Sequence, residues 1–452
     1  MQGIVTKKLV VQKGETTILD QLSCEFKQGT FSLLTGDSGC GKTTLLHTIA
    51  GFDGTTYLGE IFVNNHNTQQ LTTVEKAQQI GIMFQNPSQQ FTMRTLQREL
   101  MFVMENFNLP IAESNERMAR AVQEMQMGAL LHRELVTLSG GEKQRAALTI
   151  LLALDPPIFL LDEPFASIDP DSRMLLIKKL ASLRDKGKLI VVADHELNGY
   201  QPYVDRFIRM TNGQLKEQSL DELTIQPQLG SLRNPDAPVE SLFELQNFSL
   251  FQGEKELLIP QNFQFKKGIT TLTGVNGTGK STLLRAMVQL QAYKGLMYFD
   301  GQKLSRHFGK RKLYEKMTLA VQQAEQQFVT LQVDKELNFP KEPEEKIKQK
   351  QLAAMKTLGI DHVRERSLYQ LSEGQKKMIQ LIAMLSLDCT FLLLDEPFTG
   401  LDERACQFFV KWLEEKKQRT SLLIVSHRLE PLVGVSDHHV HLANQQLQEV
   451  DD

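Results

Sequence analysis

The chain has 452 residues, 41% hydrophobic and 23% charged, with a net charge of −3. At roughly 100–200 residues per domain this length predicts two to four domains with sizeable cores, and the balanced charge argues against a general nucleic-acid binder, which is usually basic. No apolar run reaches the roughly 18 residues that span a bilayer, the opening MQGIVTKKLVVQKGE lacks the apolar stretch of a secretory signal, and four cysteines without CxxC spacing (Cys24, Cys40, Cys389, Cys406) point to a reducing compartment.

In chain order, the first strong signal is the apolar strand FSLL running into GDSGCGKT, Gly36 to Thr43, which fits G-x-x-x-x-G-K-[ST] and opens an apolar helix. Such a loop wraps so that its N–H groups converge on phosphate oxygens, with the positive helix N-terminus behind them. Gly36, Gly39, Gly41 and Thr44 are assigned to this cradle. Lys42 is expected to reach the β- and γ-phosphates of ATP, and Thr43 to ligate Mg2+. The bland alternative is a glycine-rich turn that only starts a helix. Cys40 reads as a small residue that fits the loop, with alkylation sensitivity a second expectation because a helix N-terminus can lower a thiol pKa.

Next comes FQNPSQQF, Phe84 to Phe91, which in isolation is a polar loop. A polar, helix-rich stretch follows from Thr95 to Leu135 and predicts a small helical insertion. In LSGGEKQR, Leu138 to Arg145, Ser139 and Glu142 have capping-box spacing. A helix so capped, with Gly140 and Gly141 in its first turn, presents N–H groups to an anion. FLLDEP, Phe159 to Pro164, is a buried strand ending in two acids. Asp162 is placed to hold the magnesium shell, and Glu163 to polarise an attacking water. His195 ends the next apolar strand, LIVVADHEL.

The same series then returns at an offset of about 235 residues, too long a period for a solenoid, so it marks two whole domains. GVNGTGKS supplies Gly274, Gly277, Gly279, Lys280 and Ser281, with Thr282 next. VQQAEQQF repeats the glutamine phrase at Gln322, and a second helical insertion is expected from Leu331 to Tyr369. LSEGQ carries Ser372 and Gly374, LLLDEP carries Asp395 and Glu396, and His427 ends the last matching strand. Two strand-end histidines at matching places read as γ-phosphate sensors. The expected domains are 1–224 and 242–452, joined by a proline-bearing linker at 225–241. Alternating strands and helices predict a mainly parallel α/β sheet in each.

At LSGGEKQR the chain resembles the ABC-type ATPases, and the resemblance covers nearly everything except the join. It implies two tandem P-loop NTPase domains, each with a mainly parallel core sheet, an antiparallel β part and a helical subdomain. It further implies an intrachain pseudo-dimer, paired head to tail. Each ATP would lie between the phosphate loop of one half and the signature of the other, Ser372 and Gly374 or Ser139, Gly140 and Gly141. Gln85 and Gln322 match the glutamine that touches Mg2+ and the attacking water. Asp169 and Asp402 match the loop aspartates that communicate between sites.

The stretch from FQNPSQQF through TMRTLQRELMFVMENFNLP resembles that of energy-coupling factor transporters, bacterial importers of vitamins and metal micronutrients. This implies an ATPase motor bound to a transmembrane scaffold protein and a substrate-capturing membrane protein, peripheral at the cytoplasmic face of the cell membrane, with no nucleic-acid partner. Gln89, Gln90 and Phe91, and Gln326, Gln327 and Phe328, would line the grooves that receive the coupling helices. The second copy keeps the glutamines but loses Asn-Pro. A soluble tandem ABC protein acting on ribosomes is the alternative from another class, but such proteins usually carry a long charged helical linker. A sugar-importer ATPase would lack the glutamine phrase, and a repair ATPase would need a zinc module these cysteines do not supply.

Two departures stand out. Phe251 can stack adenine in the second half, whereas Val11 and Gln12 occupy that region in the first. Glu373 replaces a signature glycine, and its charge would weaken the site built on Lys42 and Thr43. DHHVHL, Asp437 to Leu442, reads as a strand face with incidental histidines, because the matching DRFIRM has none.

Overall fold

A computed structural model describes residues 2–13, 16–37, 39–52, 56–107, 109–166, 168–223, 232, 234, 239–253, 255–304, 310–339 and 343–450. The chain divides into two compact units, Met1–Gln226 and Pro227–Asp452. Most of the expected join at 225–241 lies outside the described residues. Of those described there, Leu232 is buried in the core of the second unit, and the Asn234 N–H donates to the Asp437 carbonyl at 3.2 Å.

The first unit holds two sheets. An antiparallel sheet has the order β2 (Thr16–Lys27), β1 (Gly3–Lys13), β4 (Tyr57–Val63) and β5 (His66–Asn67). The other has the order β10 (Gln214–Gln218), β9 (Arg206–Thr211), β3 (Phe31–Thr35), β8 (Leu189–Ala193), β7 (Ile158–Asp162) and β6 (Ile80–Met83). All its neighbours are parallel except β9 and β10. Every residue of β3, β7 and β8 is buried, as their continuous apolar sequences require of a parallel sheet covered on both faces. Side chains alternate between the faces. Phe31, Leu33, Phe159 and Leu161 pack toward α3 (Leu96–Asn106), α4 (Ile111–Glu124), α5 (Gly140–Leu154) and α6 (Pro170–Asp185). Leu34, Leu160 and Val191 pack toward α1 (Lys42–Ala50) and the antiparallel sheet. A short α2 (Thr73–Gln79) precedes β6.

The second unit repeats the plan. Its antiparallel sheet runs β12 (Lys255–Lys266), β11 (Ser241–Gln252), β14 (Tyr293–Phe299), β15 (Gln302–Leu304). Its second sheet runs β16 (Met317–Ala320), β17 (Phe391–Asp395), β18 (Ser421–Val425), β13 (Ile269–Thr273), β19 (His438–Ala443), β20 (Gln446–Glu449), antiparallel only at the last pair. Its helices are α7 (Lys280–Met287), α8 (Lys310–Lys316), α9 (Val333–Leu337), α10 (Glu345–Thr357), α11 (Glu373–Ser386) and α12 (Glu403–Lys416). In both units the C-terminal ends of the central parallel strands lie along one edge, where open α/β sheets bind ligands. Among the described residues no helix is long and apolar enough to cross a membrane.

Candidate active site

Each phosphate loop leaves a fully buried strand and turns into a helix. At Gly36 the backbone has φ 151°, and a Cβ there would fall 2.3 Å from the Met210 carbonyl oxygen; Gly274 repeats this with φ 146° and the Leu442 oxygen at 2.5 Å. Only glycine fits both the conformation and the approach. Lys42 Nζ donates to the Gly36 carbonyl at 2.7 Å and the Asp37 carbonyl at 3.2 Å, and Lys280 Nζ to Gly274 at 2.6 Å and Val275 at 3.0 Å. Both lysines are buried, so each loop is curled around one ammonium. Gly41 and Gly279 stand at the N-caps of α1 and α7, and Thr43, Thr44, Ser281 and Thr282 form their first turns with Gly39 and Gly277 just before.

The acid pairs close the other side. The Thr43 hydroxyl bonds the Asp162 carboxylate, and Ser281 Oγ donates to Asp395 Oδ1 at 3.1 Å. Asp162 Oδ2 is buried with no hydrogen-bond partner. Burial, then the neighbouring Glu163 charge, pushes the Asp162 carboxyl up to about 6. Lys42 and His47 offset that rise only in part, and a hard cation beside the hydroxyl oxygen would balance the acid further.

Glu163 and Glu396 both adopt left-handed backbone, φ 45° and 50°. Non-glycine residues are rare there and concentrate at functional sites. The neighbouring strand fixes the turn: the Glu163 N–H donates to Ala193 at 2.8 Å and the Glu396 N–H to Val425 at 2.9 Å. The turn aims each carboxylate at the histidine beyond that strand. Burial alone would raise the Glu163 carboxyl, but the His195 imidazole at 3.1 Å, Lys42 and a hydrogen bond from Gln85 outweigh it and hold the carboxyl below its usual value. The second unit differs. His427 Nε2 lies 3.5 Å from Glu396 Oε1 and 2.8 Å from Asn276 Oδ1 of the phosphate loop. Burial and the Asp395 charge lift the Glu396 carboxyl to about 8, offset only partly by the His427 N–H, Lys280 and Lys377.

Both signatures fold as capping boxes. Ser139 Oγ accepts from the Glu142 N–H at 3.3 Å while Glu142 accepts from the Ser139 N–H at 2.8 Å, and Ser372 and Gln375 exchange the same pair of bonds. Glu373 is not a bare charge, because its Oε1 lies 3.2 Å from Lys376 Nζ. Asp169 and Asp402 cap α6 and α12 through the Ser172 and Ala405 N–H groups, at 3.0 and 2.8 Å.

Strand register shows which residue of the first unit matches Phe251. Val11 pairs with Leu19 and Tyr57 as Leu250 pairs with Leu258 and Tyr293, so Gln12 is the counterpart of Phe251. Val11 is core, and Gln12 reaches Thr17 Oγ1 at 3.4 Å. Phe251 is half-buried with Lys294 Nζ 4.6 Å from its ring centre. The lowered thiol pKa expected for Cys40 is corrected: burial pushes that thiol up despite Lys42 beside it. All four cysteines are free. His439 and His441 lie on β19 and both bond Thr273 Oγ1 at 2.9 Å, and no metal-ligand cluster occurs among the described residues.

The repeat placed the motif residues in each unit. It missed the left-handed glutamates, the role of Asn276 and the buried Lys377. A closer alignment of the signature helices, with Lys377 opposite Gln144, carries a signal for the last.

A family model described as ABC transporter matches residues 19–166 and 260–399. A Bacillus subtilis candidate HMP/thiamine import ATP-binding protein, YkoD, is 29% identical over 480 residues, covering 94% of this chain and 87% of that protein. Candidate ABC transporter ATP-binding proteins of Treponema denticola (29% over 446 residues, 91% of this chain and 89% of that protein) and Sulfurisphaera tokodaii (30% over 400 residues, 84% and 83%) are similar. Among solved structures, an ATP-binding cassette in a dimeric post-hydrolysis state with ADP and Pi is 26% identical, with a TM-score of 0.44, covering 48% of this chain and 98% of that one.

Proposed function

The chain belongs to the ABC transporter family as an ATP-binding subunit that hydrolyses ATP, and from that premise we propose that it is the motor of an energy-coupling factor importer for a vitamin or a metal micronutrient. The observation that carries the proposal is the glutamine segment. In both units it folds as a single 3-10 turn, Pro87–Gln89 and Ala324–Gln326, packed against the signature helix. Exposed apolar side chains follow it in sequence, Met101 and Phe102 on α3 in the first unit and Val329 and Leu331 directly after the turn in the second. Such side chains suit the coupling helices of a membrane scaffold. Likeness to an HMP/thiamine import protein along both units adds weight.

In this mechanism each phosphate loop cradles one ATP, and a capped signature helix presents its N–H groups to the nucleotide. Lys42 and Lys280 turn from their own loop carbonyls to the β- and γ-phosphates. Thr43 with Asp162, and Ser281 with Asp395, would hold Mg2+ together with Gln85 and Gln322, and the ion supplies charge neutralisation on the phosphates. Glu163 and Glu396 take the proton of the attacking water. His195 and His427 align those carboxylates and sense the γ-phosphate. Phe251 stacks adenine in the second unit, and Asp169 and Asp402 carry the state of one site to the other. The subunit sits at the cytoplasmic face of the membrane through a transmembrane scaffold and a substrate-capturing protein.

Affinity purification of the full chain from detergent-solubilised membranes of its own cell tests this. A multi-span scaffold and a small membrane protein should co-purify stoichiometrically. Ribosomal proteins in their place would overturn the assignment.

A further inference from the structure

Three side chains of α11 grip the glutamine segment of the second unit. Lys377 Nζ donates to the Gln322 carbonyl at 3.0 Å. Gln380 Nε2 donates to the Val321 carbonyl at 2.9 Å and to Gln327 Oε1 at 2.6 Å. Lys376 forms an ion pair with Glu325. The three are 5%, 4% and 2% exposed for Lys376, Lys377 and Gln380. Gln327 carries the grip to the sheet, because its Oε1 also accepts from the Val321 N–H at 3.2 Å and its Nε2 donates to the Leu319 carbonyl of β16 at 3.3 Å.

The first unit has other residue types at the matching places. Gln144 stands for Lys377, Ala147 for Gln380 and Ser88 for Glu325. An alanine side chain has no donor, and a serine offers Lys143 no charge. Gln144 donates to the Glu163 carbonyl at 3.4 Å. Gln90, the counterpart of Gln327, closes on its own strand, accepting from the Phe84 N–H at 2.9 Å and donating to Ile82 at 2.9 Å.

A buried ammonium is costly unless it is bonded and balanced. Lys377 is both. It bonds the Gln322 carbonyl, and the Asp395, Glu396 and Glu373 carboxylates balance its charge. The grip therefore holds two more charged contacts, Lys377 to the Gln322 carbonyl and Lys376 to Glu325, and one more side-chain bridge than the first unit's residue types offer.

We propose that Lys377 and Gln380 are positioning residues that fasten the signature helix of the second unit to its glutamine segment, so that the two are held together more tightly there than in the first unit. The functional consequence rests on the motor mechanism above. The fastened segment presents Gln322 to the ATP held by Lys280, so movement of the signature helix reaches that site, and the occupancy of one ATP site alters the other through this fastening.

Hydrogen–deuterium exchange of the full chain without nucleotide tests the fastening. Peptides covering 321–328 and 84–91 are compared in the wild type and in Lys377→Gln/Gln380→Ala, which installs residue types that the first unit's helix already accepts. A buried bridge with one charge-assisted bond should slow local opening roughly 10- to 100-fold. The wild-type 321–328 peptide should exchange slower than 84–91 by that factor, the variant should lose most of the difference, and α12 should stay protected. Gln380→Ala alone should lose part of it. Equal exchange of the two segments in the wild type, or no change in either variant, overturns the proposal. In hydrolysis assays the variant should also lower the Hill coefficient for ATP toward 1, with the affinity for a fluorescent ATP analogue within about two-fold of wild type, since no phosphate contact is removed. A wild type that shows the exchange difference but binds no ATP would sink the motor mechanism and leave the fastening intact.

Discussion

His195 Nε2 stands 3.1 Å from Glu163 Oε1, whereas in the second unit His427 lies 3.5 Å from Glu396 and bonds Asn276 at 2.8 Å. One unit thus holds its glutamate carboxylate against a histidine, and the other holds its histidine on the phosphate loop.

Turnover should follow that difference. A positioned base contributes about 10²–10⁴-fold, so Glu163→Gln should lower total ATPase activity about 10-fold or more and Glu396→Gln about two-fold or less. The signature sequences alone argue the reverse order, because Glu373 replaces a glycine. Glu373 shares the Lys376 ammonium with Glu325, so its charge is partly balanced, and the order expected here rests on the glutamate–histidine geometry. Lys42→Ala should therefore cost more activity than Lys280→Ala. Equal losses, or a larger loss from the second-unit variants, would show that these distances do not set the rates.

Arg173 locks the histidine loop of the first unit. It is buried against Asp194 at 3.3 Å, donates to the Glu196 carbonyl at 2.6 Å and also bonds the Asn198 carbonyl, while the Tyr200 hydroxyl donates to the same Asp194 oxygen at 2.8 Å. Removing one partner of a buried ion pair costs about 3–5 kcal/mol. Arg173→Met should loosen hydrogen-exchange protection across Leu189–Ala193 by an opening free energy of that size. A change under about 1 kcal/mol would mean the pair contributes no more than an exposed one.

Cys40 should be a slow nucleophile. Its thiol is raised by burial, and Lys42 Nζ at 3.7 Å does not reverse the shift. A raised thiol pKa means little thiolate at neutral pH, so alkylation at this residue should rise about tenfold per pH unit up to pH 9 and beyond. Site-resolved mass spectrometry of the labelled chain measures the rate. A plateau at or below pH 8 would contradict the burial effect.

The motifs were legible because phosphate chemistry demands particular residue types at fixed spacing. The strands carrying them were legible because parallel sheets buried on both faces need continuous apolar runs such as FLLLD. The capping box at Ser139 is local and legible from its spacing to Glu142. What stayed hidden depends on chain segments far apart. The left-handed glutamates are imposed by hydrogen bonds to Ala193 and Val425 on the neighbouring strands. Lys377 meets a carbonyl 55 residues away. Whether Val11 or Gln12 matches Phe251 depends on register shifts in β1 and β11 that leave no mark in composition.

The most direct measurement of the motor assignment is substrate uptake into proteoliposomes holding the chain with its co-purified membrane proteins, loaded with ATP and Mg2+ on the side of the chain. Vitamins and divalent metal micronutrients are the substrates to test. The account predicts ATP-dependent accumulation of one of them, abolished by the Glu163→Gln/Glu396→Gln double variant while ATP binding persists, a loss in turnover of about 10²–10⁴-fold. Accumulation that continues in the double variant, or ATPase activity with no uptake of any of these substrates, would contradict it.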